Sequence, residues 1–283
     1  DKYALLIRGA RRVGKSTIVE EFASKEFKSY ILLDFARTSK DINSLFEDMY
    51  SLDFFFLQLQ QLTGVKLYEQ ESVIIFDEVQ LLPKARQAIK YLVEDGRYKY
   101  IETGSLLSIR KNTKDILIPS EEHKIDMYPM DFEEFLWAIG DEVTADTIQI
   151  LLENKRTAGN AMHRSLMRIF RLYMLVGGMP QAVETYLADN NLQAVDEAKR
   201  EIVDLYEEDF TKIDGTGLAG DVYDSIPASL SGNASRYVLA NARAGIKSEQ
   251  MKELVPDMLS SYTVLIAYHA NNPSAGMSLE KDV

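Results

Sequence analysis

Short apolar segments alternate with helical stretches along the chain up to Met130. Apolar strands are predicted at Tyr3–Arg8, Tyr30–Phe35, Ser72–Phe76, Tyr98–Thr103 and His123–Met127. The helices predicted between them are Ser16–Ser24, a long helix from Asp41 to near Gly64 and a helix from Pro83 to near Gly96. The long helix would bury a face formed by Phe46, Tyr50, Phe54 and Leu57. This alternation predicts an α/β fold in which helices cover a parallel sheet.

The pattern after Met130 is helical, and no convincing strand is found among the helical segments that follow directly. Helical periodicity runs through Glu133–Ile139, Glu142–Asn154, Ala158–Val176 and Leu192–Phe210, with a break at 177–180. The segment Asp214–Gly217 is the best linker candidate. Beyond it, three helical segments precede an apolar strand; they are Val222–Leu230, Ser235–Ala242, Ser248–Leu259 and the strand Tyr262–Tyr268. That order predicts a winged helix, and hence three domains at residues 1–130, 131–213 and 214–283.

The segment Gly9–Ser16 matches the phosphate-binding pattern G-x-x-x-x-G-K-[ST] in full, directly after the first strand and before the first helix. Glycines let the backbone point several N–H groups at phosphate oxygens, and the helix N-terminus adds positive charge. Lys15 would bridge the β- and γ-phosphates, Ser16 would hold magnesium and Thr17 would touch the α-phosphate. The residues expected to contact nucleotide here are Gly9, Ala10, Arg11, Arg12, Val13, Gly14, Lys15, Ser16 and Thr17.

Four apolar residues followed by Asp77 and Glu78 form a Walker B pattern. Asp77, at the end of its strand, would hold magnesium through water. Glu78 would act as the general base that polarises the attacking water. Thr103 and Ser105 end the next strand and could reach the γ-phosphate, although Thr or Ser at a strand end is equally well explained as turn chemistry.

ATP is the preferred nucleotide. Thr211–Asp214 resembles a guanine-reading T-K-x-D, but it closes an acidic helix and does not follow a core strand. The segment beginning at Asp77 also lacks the D-x-x-G of GTPases.

The chain has 283 residues, a net charge of −12, no cysteine and three histidines. An acidic balance disfavours non-specific DNA coating, since each neutralised phosphate needs a Lys or Arg. The absence of cysteine excludes disulfides and thiolate metal sites and fits a cytoplasmic location. No apolar run approaches the ~20 residues of a membrane span.

Several longer segments make the chain similar to the prokaryotic AAA-family ATPases that carry a C-terminal nuclease-like domain of unknown function. The matching stretches are Ile7–Thr17, Ile74–Pro83, Glu102–Leu107, Tyr128–Leu136, Leu175–Val183, Asp204–Ile213 and Ile226–Ser231. The resemblance implies an AAA-type nucleotide domain, a helical lid at 131–213 and a winged helix. Chains of that family continue past the winged helix into the nuclease-like domain, so the resemblance leads us to expect that this domain is missing, or not included, after Val283.

In relatives among signal-transducing ATPases, the proline of a Gly-x-Pro element in the lid packs beside the nucleotide. Gly178-Met179-Pro180 fits that element, so the resemblance makes Pro180 a candidate reader of the nucleotide state. A helix C-cap followed by proline is an equally good explanation of the residues alone.

Basic residues outside the phosphate loop leave several interpretations open. Arg164, Arg168 and Arg171 share one helix face, which is either solvated or supplies a sensor for the γ-phosphate. Arg11 and Arg12 are expected to face outward or towards a neighbouring subunit. The predicted winged helix carries Glu249 and Glu253 where DNA contact would be needed, which favours a structural or protein-binding role.

The function predicted from the sequence is ATP binding with Mg²⁺, and hydrolysis that drives or gates a conformational switch. Two alternatives remain: a nucleotide-gated scaffold whose turnover is incidental, and a DNA-directed ATPase. Expected partners are ATP or ADP and an unidentified protein, with a homo-oligomer possible and no membrane involved.

Overall fold

The computed structural model describes residues 2–47, 49–105, 119–231, 237, 242–245 and 248–266. The chain divides into two compact units, Asp1–Glu208 and Asp209–Val283. The domain boundaries inferred from the sequence stay a prediction.

A five-stranded parallel sheet forms the centre of the first unit, as the sequence predicts. Its strands are β1 (Ala4–Arg8), β2 (Ser29–Asp34), β3 (Ser72–Asp77), β4 (Lys99–Gly104) and β5 (Glu122–Asp126). Their order across the sheet is β2-β3-β4-β1-β5, and every pairing is parallel. All six residues of β3 are buried, which explains its continuous apolar run.

Helices cover both faces of this sheet. They are α1 (Lys15–Glu26), α2 (Lys40–Ser44), α3 (Leu52–Thr63) and α4 (Pro83–Asp95). On one face, Val19 and Ala23 of α1 pack with Val73 and Ile75 of β3. The opposite face belongs to a larger aromatic cluster that includes Phe76 and residues of α3 and α4. Alternation along β3 therefore fixes which side chains meet which helix.

The predicted long helix from Asp41 to near Gly64 is wrong, because the region forms two helices, α2 and α3, each with its own serine cap. Ser39 caps α2 by accepting a hydrogen bond from the backbone N–H of Ile42 at 3.3 Å. Ser51 caps α3 in the same way, accepting from the N–H of Phe54 at 3.4 Å. Serine side chains at such positions satisfy N–H groups that a helix start leaves without partners.

The buried face predicted for that helix is also largely wrong. Phe46 is buried, but Tyr50, Phe54 and Leu57 are 93%, 58% and 61% exposed. The core residues of α3 are Phe55, Phe56 and Leu59. Starting a new helix at Leu52 resets the helical phase, so the spacing counted from Phe46 selects the wrong side chains.

Five further helices follow the sheet. They are α5 (Phe132–Ala138), α6 (Thr144–Glu153), α7 (Gly159–Val176), α8 (Pro180–Asp189) and α9 (Leu192–Ile213). Four of these were predicted, and α8 was missed because the Gly-Gly-Met-Pro segment reads as a break. Pro180 instead occupies the first turn of α8, where proline is well tolerated because that N–H has no helical partner.

The described part of the second unit contains α10 (Leu218–Ser231) and α11 (Ser248–Ser260), both at predicted places. Asp214 stabilises the start of α10, because its carboxylate accepts hydrogen bonds from the N–H groups of Leu218 and Ala219, at 2.8 and 3.3 Å. The predicted strand Tyr262–Tyr268 is wrong over its described residues 262–266, which form no strand. Most of the predicted segment Ser235–Ala242 lies outside the described residues. The winged helix stays a prediction.

No helix within the described ranges is both long and apolar enough to cross a membrane.

Candidate functional site

The phosphate loop connects β1 to α1 through backbone geometry that its glycines permit. Gly14 has φ +97° and stands at the N-cap of α1. A Cβ on Gly9 would lie 2.3 Å from the carbonyl oxygen of Met127, so no side chain fits there. The N–H of Met127 in turn donates to the carbonyl of Arg8 at 2.7 Å. The loop therefore starts tight against the chain that leaves β5.

Lys15 lies inside the loop and not on the surface. Its side chain is 5% exposed, and its Nζ donates to the carbonyl oxygens of Ala10 and Gly9 at 2.7 and 3.1 Å. The N-terminus of α1 has no side-chain cap, so its N–H groups face the loop along with the ammonium. Both features make the loop a positively polarised cradle suited to phosphate.

Three polar side chains meet at the carboxyl end of β3, and we call Ser16, Asp77 and Thr103 the loop cluster. The hydroxyl of Ser16 donates to Oδ1 of Asp77 at 2.7 Å. The hydroxyl of Thr103 donates to the same oxygen. Asp77 is 7% exposed, and β4 beside β3 brings Thr103 to it. The structure thus brings together the two predicted magnesium residues and the predicted strand-end threonine.

Glu78 follows Asp77 in a left-handed backbone conformation, with φ +55°. Its backbone N–H donates to Oγ1 of Thr103 at 3.4 Å. Its carboxylate accepts from the side-chain amide of Gln80, and the hydroxyl of Ser105 lies 3.5 Å from the same oxygen. A left-handed conformation at a residue other than glycine is rare, and here it marks the point where the chain leaves β3.

The loop cluster has the donor chemistry of a magnesium site. A serine hydroxyl and a carboxylate are the hard oxygen ligands that Mg²⁺ prefers, and those of Ser16 and Asp77 are in direct contact. No group of three or more His, Cys, Asp or Glu able to hold a metal ion occurs in the part of the chain that the structure describes. Ser16 and Asp77 fit a cation that takes its remaining ligands from phosphate and water.

Arg11 and Arg12 contact α8 and α9. Arg12 is nevertheless exposed and Arg11 is half-buried, so the expectation that they face outward or towards a neighbouring subunit stays a prediction. The hydroxyl of Tyr206 donates to the carbonyl oxygen of Arg11 at 3.1 Å. Arg12 Nη1 donates to Oε1 of Gln181 at 2.9 Å. Arg11 also lies 3.9 Å from the carboxylate of Glu208. These contacts join the phosphate loop to the helices after the sheet.

Sequence reasoning missed Gln181 and Tyr206, although both lie in segments that carry the AAA resemblance. Long-range hydrogen bonds of this kind have no spacing signature. The only hint in the sequence was that the resemblance to AAA-family ATPases extends over the segments that contain these two residues.

Pro180 also lies at the loop. A Cβ on Gly14 would be 3.7 Å from Cγ of Pro180, which places that ring beside the last glycine of the loop. The N–H of Met130 donates to the carbonyl of Gly178 at 2.7 Å and fixes the approach. Thr17, by contrast, is exposed on the first turn of α1.

A second polar group lies between β4, β5 and α4, and we call Arg86, Glu102 and Glu122 the buried carboxylate cluster. Arg86 donates to both carboxylate oxygens of Glu122, at 2.8 and 3.0 Å, and both side chains are almost fully buried. Glu102 is 0% exposed, and neither of its carboxylate oxygens has a hydrogen-bond partner among the residues that the structure describes. Burial raises the pKa of Glu102 well above its usual range, the nearby Glu122 adds to the effect and Arg86 opposes it.

The first unit thus has a parallel sheet with a phosphate loop after β1 and an acidic pair after β3, the arrangement of a P-loop domain. In agreement, residues 1–136 match the model of a family described as "AAA domain". The resemblance stated from the sequence is therefore confirmed over residues 1–136, at the level of an AAA domain.

Two other sequence comparisons give no activity. Residues 167–281 match a "Domain of unknown function (DUF8612)". "Uncharacterized protein MJ1637" of Methanocaldococcus jannaschii is 23% identical over 193 residues. That alignment covers 65% of this chain but only 39% of the relative, so the chain spans well under two thirds of the curated protein it matches.

Three solved structures are similar to the chain at low overall agreement. The Thermotoga maritima RuvB Holliday junction branch migration motor is 15% identical with a TM-score of 0.37, over 91% of this chain and 79% of its own. The Aeropyrum pernix Orc1 protein in complex with DNA is 15% identical with a TM-score of 0.34, over 89% and 78%. C. elegans PCH-2 is 12% identical with a TM-score of 0.37, over 71% and 61%.

Proposed function

We propose that the chain binds ATP with Mg²⁺ at the phosphate loop and hydrolyses it to ADP and phosphate. The observation that carries this proposal is the 2.7 Å hydrogen bond between Ser16 of the loop and Asp77 of β3, beside the buried ammonium of Lys15. A hydroxyl, a carboxylate and a lysine in this arrangement are the groups that phosphoryl transfer needs to position magnesium and phosphates.

Lys15 would exchange the carbonyl oxygens of Gly9 and Ala10 for oxygens of the β- and γ-phosphates. Ser16 and Asp77 would hold Mg²⁺, whose charge would offset the negative charge of the phosphates. The loop N–H groups and the start of α1 would hold the phosphate chain in line. Thr103 would keep Asp77 oriented through its hydroxyl.

Glu78 is the proposed general base. Its carboxylate would accept a proton as the oxygen of water bonds to the γ-phosphorus and the bond from that phosphorus to the bridging oxygen breaks. The hydrogen bonds from Gln80 and Ser105 would orient the carboxylate before the reaction.

Two substitutions separate binding from chemistry. Glu78→Gln should bind ATP with nearly the parent's affinity and hydrolyse it about 10²- to 10⁴-fold more slowly, the usual contribution of a general base. Lys15→Ala should lose binding, because the cation at the phosphates is removed. Fluorescent-nucleotide titration and phosphate release measure the two effects. Parent-like turnover by Glu78→Gln would remove Glu78 from the mechanism, and tight ATP binding by Lys15→Ala would refute the proposed site.

A nucleotide-gated switch is the second candidate, and the contacts of Arg11 and Arg12 favour it. We propose that α5 to α9 act as a lid over the loop, corresponding to residues 131–213. The Tyr206 hydrogen bond to Arg11 and the Pro180 contact at Gly14 join that lid to the phosphate loop. Nucleotide that reshapes the loop would then shift the lid between conformations. Residues 214–283 would form the proposed winged helix, with an unidentified protein as its partner.

Hydrogen exchange can test the lid. We expect ATP or ADP to slow amide exchange in α8 and α9 of the parent, and Tyr206→Phe to reduce that protection while leaving ATP bound. Thr185→Val serves as the control, because its hydroxyl bonds only to the carbonyl of Gln181 within α8. Equal protection in the parent and in Tyr206→Phe would show that this hydrogen bond does not transmit the state of the loop.

A further inference from the structure

The helix α7 carries an exposed row of arginines. Arg164, Arg168 and Arg171 are all exposed, and their spacing of four and three residues places them on one face. We call these three residues the basic face. The same face was left open by the sequence, as either a solvated surface or a source of a phosphate sensor.

None of the three guanidinium groups has an ion-pair or hydrogen-bond partner among the described residues. Other arginines of this protein do: Arg97 pairs with Asp95, Arg200 with Asp196 and Arg243 with Asp221. The basic face cannot find such partners locally, because the chain has no Asp or Glu between Glu153 and Glu184. The chain as a whole has a net charge of −12, so a group of three arginines without nearby acidic residues differs from the rest of its sequence.

The start of α7 extends the same positive region. Lys155 and Arg156 are exposed directly before the helix. The N-cap residue Ala158 supplies no side-chain hydrogen bond, and the first turn holds no acidic residue. The N–H groups at that end and the helix dipole therefore add to the positive potential.

The opposite face of α7 packs against the protein's own core, and this limits which kinds of partner the helix can bind. Ile169, Leu172 and Tyr173 pack against a core cluster that contains Phe135 and Val176. A lipid surface would need that apolar face, since an interfacial helix inserts its apolar side. The exposed surface of α7 carries the basic face and, towards the end of the helix, the apolar side chains of Phe170, Met174 and Leu175. The three guanidinium groups, which have no partner within the described ranges, suit a polyanion held by electrostatic contacts.

We propose that the basic face binds the phosphate backbone of a nucleic acid. Arginine suits this ligand because its planar guanidinium matches phosphate geometry and stays charged. From Gly159 to Arg171 the helix rises about 18 Å, the length of roughly five base pairs of duplex. Acidic surface elsewhere would confine binding to this helix. The inference does not depend on ATP turnover.

Fluorescence anisotropy of the full 283-residue chain with a labelled DNA duplex of about 30 base pairs tests the proposal, between about 50 and 200 mM salt. The triple variant Arg164→Gln, Arg168→Gln, Arg171→Gln should bind at least about tenfold more weakly at the lower salt. The slope of log Kobs against log salt should fall by up to about 2.7, since each phosphate contact contributes about 0.9. Unchanged thermal melting shows that the variant is folded.

A control variant removes the same charge elsewhere: Arg37→Gln, Lys66→Gln, Lys90→Gln, all at exposed positions. It should bind DNA nearly as the parent does. An equal loss in this control would reduce the effect to net charge and overturn the proposal. So would absence of DNA binding by the parent, or competition by poly-glutamate or by phosphatidylserine vesicles as effective as that by DNA at equal charge. Those last results would assign the face to an acidic protein or a lipid surface.

Discussion

The loop cluster and the buried carboxylate cluster both place carboxylates in the interior of one sheet, but they satisfy them differently. Asp77 accepts hydrogen bonds from two neutral hydroxyls, those of Ser16 and Thr103. In the other cluster Arg86 neutralises Glu122, and Glu102 has no hydrogen-bond partner in the described part of the chain. Neutral hydroxyls can be displaced by a cation, whereas a buried guanidinium pair is expensive to separate. We therefore expect substitutions in the loop cluster to change activity, and those in the buried carboxylate cluster to change stability.

Removing the guanidinium of Arg86 should have the largest effect on stability. Arg86→Ala leaves Glu102 and Glu122 buried with only the ammonium of Lys124, 3.9 Å from Glu122, as a nearby cation, which should cost about 3–5 kcal/mol of unfolding free energy. Urea unfolding measures the loss. Arg86→Lys retains a charge and should recover part of it. A loss below about 1 kcal/mol, typical of an exposed ion pair, would mean that the pair is solvated and the comparison false.

Neutralising Glu102 should stabilise the protein near neutral pH. Because its pKa is raised in the folded protein, folding favours the protonated form. Its stabilising contribution is complete below its usual value of 4.5 and is lost as pH rises towards the folded pKa. Glu102→Gln should therefore raise the unfolding free energy at pH 7 by about 1–3 kcal/mol and flatten its decline with pH.

Urea titrations across the acidic to neutral range measure this pH dependence. Glu94→Gln, at an exposed position of α4, is the matched control and should leave the slope unchanged. If the parent's stability rises with pH through this window while that of Glu102→Gln does not, Glu102 is ionised in the folded state and the sign of our prediction is wrong.

The smallest effect on stability is expected in the loop cluster. Thr103→Val keeps the shape of the side chain and removes its hydrogen bonds to Asp77 and to the N–H of Glu78. We expect ATP turnover to fall about tenfold, with a loss of unfolding free energy of about 1 kcal/mol. Phosphate release and urea unfolding on one preparation give both numbers. Thr103→Ser should restore turnover; a Thr103→Val protein that turns over normally would leave Thr103 a structural residue.

The phosphate loop and the sheet were predictable because their signals are local. Gly9–Ser16 is a complete motif, and β3 is an uninterrupted apolar run. The helix at 41–64 was mispredicted because serine can cap a helix or lie within one, and the periodicity continued past Ser51 without an obvious break. The choice depends on which residues the sheet can bury, and the spacing alone does not contain that information.

The long-range contacts were not predictable for a different reason. Glu102 lies in the strand sequence Tyr-Ile-Glu-Thr, and nothing local distinguishes a buried glutamate from one at a strand end. Its environment follows from the pairing of β4 with its neighbours and from the packing of α4. The Tyr206 hydrogen bond to Arg11 likewise joins residues 195 positions apart.

A substitution at Gly178 could move the proposed lid away from the phosphate loop without changing a catalytic group. A Cβ at this position would lie 2.0 Å from the carbonyl oxygen of Met130, in the short connection before α5. Because normal contacts between non-bonded heavy atoms are longer than 3 Å, even a methyl group would act as a wedge that displaces one segment by roughly 1 Å. Because Gly178 has no side chain, the connection after the sheet can lie directly against the turn that precedes Pro180. Alanine at this position would increase the distance between these two segments by the size of one methyl group.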